Sequence, residues 1–448
     1  MSGSSIRRQD KATATTTPNW THSAGLAAGG ATGLLVAAIG LIAGRVDVAL
    51  LAVGLVTAVT LSWDRRPAGN EQAIVTLSLS DSDSGVAYDL EISTPSTVEM
   101  IVLRHSMLSG QACDFALACP LTGEIVGVIP LLHSGPQELI RFDYRFFGID
   151  ATVVSVPQDP IVGERVVPPS QTMIDALPLP RRLQAMTGSH ASARLGDGGE
   201  FRDIHPFSPG DRLRRIDWKA TARRGQSAGE LYVRRTDALA DATVLIVMDS
   251  CDDVGEQVAQ WNLNLASEKG VSSLDLAREA AGSIAGAYIA LGDRVGFQDL
   301  SSRARMIAHA SGARHLWRLM RTIETTAPSS IPFAHQRSPI LPPGALVYLL
   351  SSLLDDQPVK LALTWLGNGH RVIAVDVLPP ARFVGATKYE RIAHRMLLIE
   401  RENRIGVLRA SGVEMLRWSE GGDALPLPAR LRQLSRQTRR PGSAGAPR

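Results

Sequence analysis

The chain has 448 residues, of which 44% are hydrophobic and 20% charged, and its formal net charge is +3. This length suits two or three domains, and the apolar share is too high for a globally disordered protein. The small net charge gives no indication of a uniformly basic, nucleic-acid-binding surface. Three cysteines without a CxxC pair provide neither a disulfide framework nor a zinc site, which is typical of thiols in a reducing compartment.

Two apolar segments follow a polar, Ser/Thr-rich N-terminus, residues 1–20, which we expect to be disordered. Residues 24–44 carry no charge, and residues 46–63 carry only Asp47. Each segment is close to the roughly 20 residues that cross a bilayer. The region 21–66 therefore predicts a hairpin of two transmembrane helices. A signal peptide has a single shorter apolar core, and a buried hairpin of a soluble protein is the remaining alternative.

The charges that flank the hairpin predict its orientation. Arg7, Arg8 and Lys11 precede it, and Arg65 and Arg66 follow it. The turn between the helices holds only Arg45, which Asp47 offsets. Because positive charge marks cytoplasmic ends, we expect a multi-pass protein of the cell membrane with both termini and the soluble domains in the cytoplasm.

The next two regions contain different patterns. Residues 67–165 hold short β-branched or alternating apolar runs separated by turn residues, which predicts a small β-sandwich-like domain. His133 lies there in a loop-like sequence, and we interpret it as facing solvent. Residues 166–189 are Pro-rich and predict an extended linker.

Residues 241–430 alternate apolar strands with amphipathic helices. The run TVLIVM, from Thr243, is typical of a strand buried on both faces of a parallel sheet. Alternation of this kind predicts a doubly wound α/β sheet. The last residues, 431–448, predict a disordered basic tail.

A charged motif lies between these regions, in residues 190–240. It contains Glu200-Phe201, Phe207, Pro209-Gly210-Asp211, Arg214, Ile216-Asp217-Trp218 and Thr221-Ala222-Arg223. This ordered set resembles the bacterial domain-of-unknown-function 58 family, with His205 where the family usually has arginine. The resemblance implies a membrane-anchored protein with a von Willebrand factor A-like domain, associated with a MoxR-type AAA+ ATPase.

Two interpretations of this motif stay open. In the first, Asp211 and Asp217 pair with nearby arginines around a Trp218 anchor and hold the segment against the sheet. In the second, the motif is a docking surface for an acidic partner. The candidate binding residues are Gly210, Asp211, Arg214, Arg215, Asp217, Trp218 and Arg223. Interleaved carboxylates and the aromatic spacing disfavour nucleic acid.

The end of the TVLIVM strand holds a candidate metal site. Von Willebrand factor A-like domains often place Asp-x-Ser-x-Ser here to hold Mg²⁺. This chain has Asp249, Cys251 and Asp253 at those positions, and a thiol is a poor Mg²⁺ ligand. The fourth strand of such domains usually supplies another Asp in a Ser-Asp pair, and this chain has Ser352 at that place, with Asp355 further on. Asp249 and Asp253 thus form a degenerate site, and we predict no required cofactor.

Several common enzyme motifs are absent from the sequence: it has no GxxxxGK[ST], GxGxxG or HExxH. We therefore predict a membrane-anchored interaction adaptor that acts with the MoxR-type ATPase and has no catalysis of its own. Other membrane or envelope proteins are alternative partners. The alternative functions are a metal-dependent ligand-binding receptor and a cryptic hydrolase.

Overall fold

The structure, a computed structural model, describes residues 11–63, 71–82, 84–107, 112–119, 122–148, 151–181, 183, 190–224, 230–263, 270–300, 306–328, 341–419 and 426–437. The chain forms two compact units. The first runs to Val166 without His133–Gly135, and the second consists of His133–Gly135 and the chain from Val167 onward.

Two apolar helices, α1 (Ala24–Ile42) and α2 (Val46–Trp63), pack against each other in the first unit. Both are long and apolar enough to cross a membrane, with a mean hydropathy of 1.9 each. Gly40 permits their close approach, because a Cβ there would lie 2.5 Å from the backbone nitrogen of Ala49. At the open end of the hairpin, His22 stacks on Trp63 with ring centroids 4.1 Å apart.

The rest of this unit is two antiparallel sheets. Their strands are β1 (Lys11–Thr16), β2 (Trp20–His22), β3 (Ala73–Ser82), β4 (Gly85–Ser93), β5 (Met100–Met107), β6 (Ala112–Ala118), β7 (Thr122–Ile129), β8 (Gly135–Phe147), β9 (Val153–Ser155) and β10 (Ile161–Val167). One sheet has the order β1-β3-β4-β7, and the other β2-β9-β8-β5-β6 with β10 on β8. Alternate residues such as Leu77 and Leu90 from one sheet and Leu103 and Phe142 from the other share one core.

The prediction of a disordered N-terminus is wrong for residues 11–20. Strand β1 pairs along its whole length with β3, from Lys11 opposite Ser78 to Thr16 opposite Ala73. Ala12 and Ala14 pack on the core of the two sheets. The alternation KATATT presents small apolar residues to one face, which is a half-buried strand pattern despite its polar composition. Residues 1–10 lie outside the described residues.

The second unit is a mixed α/β domain. Its elements are β11 (His190–Pro206), α3 (Trp218–Arg224), β12 (Tyr232–Ala240), β13 (Thr243–Met248), α4 (Ser273–Ala290), β14 (Arg294–Asp299), β15 (Met306–Ala310), α5 (Ala313–Glu324), β16 (Leu346–Ser351), α6 (Gln357–Gly367), β17 (Arg371–Asp376), α7 (Lys388–Ser411), β18 (Glu414–Arg417) and α8 (Leu427–Gln437). Six strands form a sheet of order β15-β14-β13-β16-β17-β18, in which β15 alone is antiparallel to its neighbour.

Helices cover both faces of this sheet. Val244, Ile246 and Met248 of β13 belong to a core shared with α4, α5 and α8, whereas Leu245 and Val247 belong to a core shared with α6 and α7. The alternation explains why β13 is apolar at every position, since both of its faces are buried. After β13 the chain adds β14 on one side of it and later β16 on the other side. Because these three strands are parallel, their carboxyl ends lie at the same edge of the sheet.

Two boundaries differ from the sequence prediction. The Pro-rich segment is extended but packed, because Ile174, Leu177 and Leu179 contact the core of the α/β domain. The predicted basic tail begins inside α8, where Leu427, Leu431 and Leu434 are buried with helical spacing. The apolar residues of both segments are few and widely spaced, so composition alone favoured a linker and a tail. Residues 182, 184–189 and 438–448 lie outside the described residues.

Candidate functional site

The charged motif forms a two-stranded antiparallel ribbon with a structured connection. Strands β11 and β12 pair from His190 opposite Ala240 to Pro206 opposite Tyr232, with three register shifts. A tight turn follows at Gly210, whose φ of +107° favours glycine. The Asp211 carboxylate accepts a hydrogen bond from the Ser208 N–H at 2.9 Å and closes this turn. Gly210 and Asp211 therefore shape the connection.

Asp217 fixes the start of α3. Its Oδ1 accepts a hydrogen bond from the Ala220 N–H at 2.9 Å, and its carbonyl accepts the Thr221 N–H at 2.8 Å. These bonds make Asp217 the N-cap of the helix. The Asp217 N–H donates to the Tyr232 carbonyl at 2.8 Å, and the Tyr232 N–H donates to Thr221 Oγ1 at 3.0 Å. Tyr232, the first residue of β12, is thus hydrogen-bonded to Asp217 and Thr221 at the start of α3.

The structure reverses part of our first interpretation of the motif. The Trp218 side chain is 68% exposed, so it does not anchor the segment in a core. The Asp211 and Asp217 carboxylates accept backbone N–H bonds in the turn and the helix cap. The two carboxylates therefore stabilise the local turn and the start of the helix.

The signature segment, defined here as residues 201–224, exposes apolar and basic side chains together. Phe201 is 53% exposed and Leu213 70% exposed, in addition to Trp218. The guanidinium of Arg234 lies 5.3 Å from the centroid of the Phe201 ring. The segment holds seven basic and three acidic residues. Its exposed basic side chains are Arg202, Arg212, Arg214, Lys219, Arg223 and Arg224, and Arg215 is half-buried.

Phe201 and Leu213 were absent from our candidate list. Both stand beside arginines in the sequence. From the sequence alone, an apolar residue in such a charged motif can be assigned either to the core or to an exposed contact surface. Surface contact residues in protein interfaces are enriched in aromatic side chains and arginine. That composition is the signal that could have identified this pair.

The second candidate site lies at the carboxyl end of β13. Asp249 Oδ2 accepts a hydrogen bond from Ser351 Oγ at 2.6 Å, and Oδ1 accepts one from the Cys251 N–H at 3.3 Å. Burial raises the pKa of the Asp249 carboxyl. Burial and the nearby carboxylates also raise the pKa of the Cys251 thiol. Ser351, at the end of β16, directly precedes the Ser352 that we place where such domains usually have an Asp.

Asp253 has a different role from Asp249. Its Oδ1 accepts the Leu274 N–H at 3.2 Å in the first turn of α4. Burial raises the pKa of Asp253. Within the described ranges, no group of three or more His, Cys, Asp or Glu side chains is placed to hold a metal ion. The oxygens of Asp249 and Asp253 serve as hydrogen-bond acceptors within the fold, so this donor set does not fit the octahedral oxygen shell that Mg²⁺ requires.

The interpretation of His133 as a solvent-facing residue is wrong. His133 is buried, and its Nδ1 lies 2.6 Å from Asp275 Oδ2 in the first turn of α4. Burial acts to raise the pKa of Asp275, but hydrogen bonds from His133 and the Ser134 N–H hold it below its ordinary value. Arg278 donates to the Ser134 carbonyl at 2.8 Å. The segment His133–Gly135 is therefore held on α4 by a buried polar network that only tertiary contacts reveal.

Comparison with known proteins supports the family resemblance and gives no activity. Residues 203–383 match the family model described as "Protein of unknown function DUF58". The match includes most of the signature segment, and it extends through β17. No curated protein matches the chain.

Proposed function

Residues 203–383 place this chain in the DUF58 family, and from that membership we propose that it is a membrane-anchored adaptor for a MoxR-type AAA+ ATPase. In this proposal the α1–α2 hairpin spans the membrane and the soluble domains face the cytoplasm. The adaptor has no catalysis of its own. The signature segment is the docking surface.

The observation that carries this proposal is the exposure of Trp218. A tryptophan that is 68% exposed leaves a large apolar surface in water, and such side chains are typical contact residues in protein interfaces. The hydrogen bonds of Asp217 fix the backbone on which Trp218 stands. An exposed tryptophan in a segment that also exposes several arginines suits a partner with an acidic rim around an apolar pocket.

We further assign the α/β domain to the von Willebrand factor A-like folds. The support is the strand order β15-β14-β13-β16-β17-β18, with a single antiparallel edge strand, β15. Domains of this architecture commonly serve as interaction modules. The orientation in the membrane rests on the sequence, in which basic residues flank both outer ends of the hairpin.

The alternative function, metal-dependent ligand binding, has less support. Asp249 accepts a hydrogen bond from Ser351 and Asp253 accepts one from the Leu274 N–H. The described residues place no group of three His, Cys, Asp or Glu side chains where it could hold a metal ion. A cryptic hydrolase has a GxSxG pattern at residues 225–229 in its favour, but this pattern follows helix α3, whereas a nucleophile elbow follows a strand.

The test is affinity capture of the full chain from native membranes through a C-terminal tag, with ATP and with ADP. We expect the wild-type protein to enrich a MoxR-type ATPase and the Trp218→Ala variant to lose it. The matched control is Trp317→Ala on α5, because Trp317 is likewise an exposed tryptophan, at 52%, with the arginine Arg321 5.2 Å from its ring centroid. The control should retain the ATPase.

Two outcomes would contradict the proposal. If wild-type protein recovers no AAA+ ATPase with either nucleotide, the partner is wrong. If both tryptophan variants recover the ATPase equally, the docking surface lies elsewhere. The Asp217→Ala substitution is unsuitable for this test, because it removes the cap of α3 together with any contact.

A further inference from the structure

A cavity of about 480 Å³ lies at the carboxyl end of β17, between this strand, α7, β18 and α8. Its volume is in the range of small-molecule sites, and its place beyond the end of a parallel strand is where α/β sheets commonly bind ligands. Most of its lining comes from residues after 383, beyond the range that the family model matches. The cavity is therefore separate from the signature segment in sequence.

The lining of this cavity is positively charged. It contains the side chains of Arg401, Arg409, Arg417 and Arg430 against the carboxylates of Asp376 and Glu402. Its formal charge is therefore +2. Leu378, Pro379, Leu398 and Met415 supply apolar surface beside these groups.

One arginine and one carboxylate are already paired within the fold. Arg401 is 6% exposed, lies 2.5 Å from Asp376 Oδ1 through its Nη2, and donates its Nε–H to the Ser352 carbonyl at 2.8 Å. Asp376 also accepts the Leu378 N–H at 3.0 Å. These bonds hold Arg401 and Asp376 in place. Arg430 also has a partner within the fold, since its Nη1 donates to the Arg417 carbonyl. The guanidinium groups of Arg409 and Arg417 then exceed the one remaining carboxylate of the lining, that of Glu402.

A buried imidazole provides a second, independent indication of a ligand. His394 lines the cavity and is 7% exposed, and its Nε2 has no hydrogen-bond partner among the residues that the structure describes. Its ring packs edge-on against Trp261 and Phe383, with centroids 5.0 and 5.1 Å away. A buried polar nitrogen without a partner is costly, and a ligand oxygen would satisfy it. Burial lowers the pKa of His394, so a neutral ring offers one N–H donor at neutral pH.

We propose that this cavity binds a small organic anion that carries a phosphate or a cluster of carboxylates. The guanidinium groups of Arg409 and Arg417 bind the anionic oxygens, because a planar guanidinium can donate two parallel hydrogen bonds to a phosphate or carboxylate. His394 contributes one further hydrogen bond. The apolar part of the lining contacts the organic portion of the ligand. The anion stabilises α7 against β17 and β18, since the lining comes from all three elements.

The experiment is isothermal titration calorimetry on the full chain in detergent micelles, with pyrophosphate as the phosphate probe and citrate as the carboxylate probe at constant ionic strength. We expect saturable binding of at least one probe. The Arg409→Gln plus Arg417→Gln variant should bind at least roughly tenfold more weakly, because each lost charge-assisted contact weakens binding by about that factor. The matched control is Arg395→Gln, an exposed arginine of α7 outside this lining.

Each outcome decides the proposal. Weakened binding in the double variant with unchanged binding in Arg395→Gln supports it, and the preferred probe identifies the anion class. Equal weakening in both variants shows only general attraction to a basic helix and overturns the proposal. Absence of saturable binding of both probes at millimolar concentration also overturns it. A His394→Gln variant, which keeps a polar side chain but changes the donor position, should bind the preferred probe more weakly while unfolding at an unchanged temperature.

Discussion

Substitution of Asp217 separates a structural role from a docking role within the signature segment. Asp217→Ala removes the acceptor for the Ala220 N–H, which lies 2.9 Å from Oδ1, but leaves the backbone bond to Tyr232 in place. Loss of an N-cap side chain costs about 1 kcal/mol. Because α3 has only seven residues, this loss should act on the local opening of the helix and its contact with β12. The exposed Trp218 is expected to contribute little to the same opening.

Amide hydrogen exchange of residues 218–224, measured by mass spectrometry, reports the free energy of this local opening of α3. A cost of about 1 kcal/mol corresponds to an exchange rate about fivefold faster in Asp217→Ala. Asp217→Asn is the matched control, since asparagine is an equally good cap and should leave the rate near that of the wild type. Trp218→Ala should also leave the rate nearly unchanged, because substitutions of exposed residues usually alter stability by less than about 0.5 kcal/mol.

The reasoning would be refuted if Asp217→Ala and Asp217→Asn exchanged at the same rate. Faster exchange in Trp218→Ala than in Asp217→Ala would show that the tryptophan, despite its exposure, holds the segment together. In that case the first interpretation of the motif, a structural anchor, would be correct.

Three further predictions concern the hairpin, the end of β13 and the membrane orientation. Gly40→Ala should weaken the α1–α2 contact by about 1–3 kcal/mol, because the new Cβ would lie 2.5 Å from the Ala49 nitrogen. Titration of helicity in detergent measures this loss. Gly54→Ala is the control and should be neutral, since a Cβ there meets no atom within 4 Å. Burial raises the pKa of Asp249 above 3.8, so its favourable contribution to stability is present at low pH and is lost as the pH rises through the folded-state pKa. The stability of Asp249→Asn relative to the wild type should therefore increase as the pH rises above 3.8, and a pH-independent difference in denaturation midpoints would contradict this. An impermeant maleimide should label the exposed Cys113 only after the membrane is opened, whereas Arg45→Cys should react in intact cells; the reverse pattern would invert the proposed orientation.

Much of the α/β domain was predictable because its strands and helices have strong local patterns. The apolar run from Thr243 to Met248 predicted β13, and the amphipathic run that begins at Ser273 predicted α4, which a capping box of Ser272 and Asp275 starts. Strand β15 and helix α8 were missed, because β15 is a short edge strand and α8 is mostly polar.

The candidate sites were less predictable than the fold, and the aspartates show why. Asp217, Asp249 and Asp253 look alike in the sequence: each stands near other charged or hydroxyl residues. The first caps α3, the second accepts a bond from Ser351, and the third accepts the Leu274 N–H of α4. The last two partners are distant in sequence, and chain packing alone selects them.

The sequence by itself determined the two apolar helices, the alternation of strands and helices, and the family to which residues 203–383 belong. These features depend on residue type and spacing along the chain, which set local conformation and the face that is buried. Only the tertiary structure decided that Trp218 stands exposed, that His133 is buried on Asp275, and that arginines from α7, β18 and α8 line one cavity. Exposure and polar contacts depend on which elements cover each other, and that information is distributed over residues hundreds of positions apart.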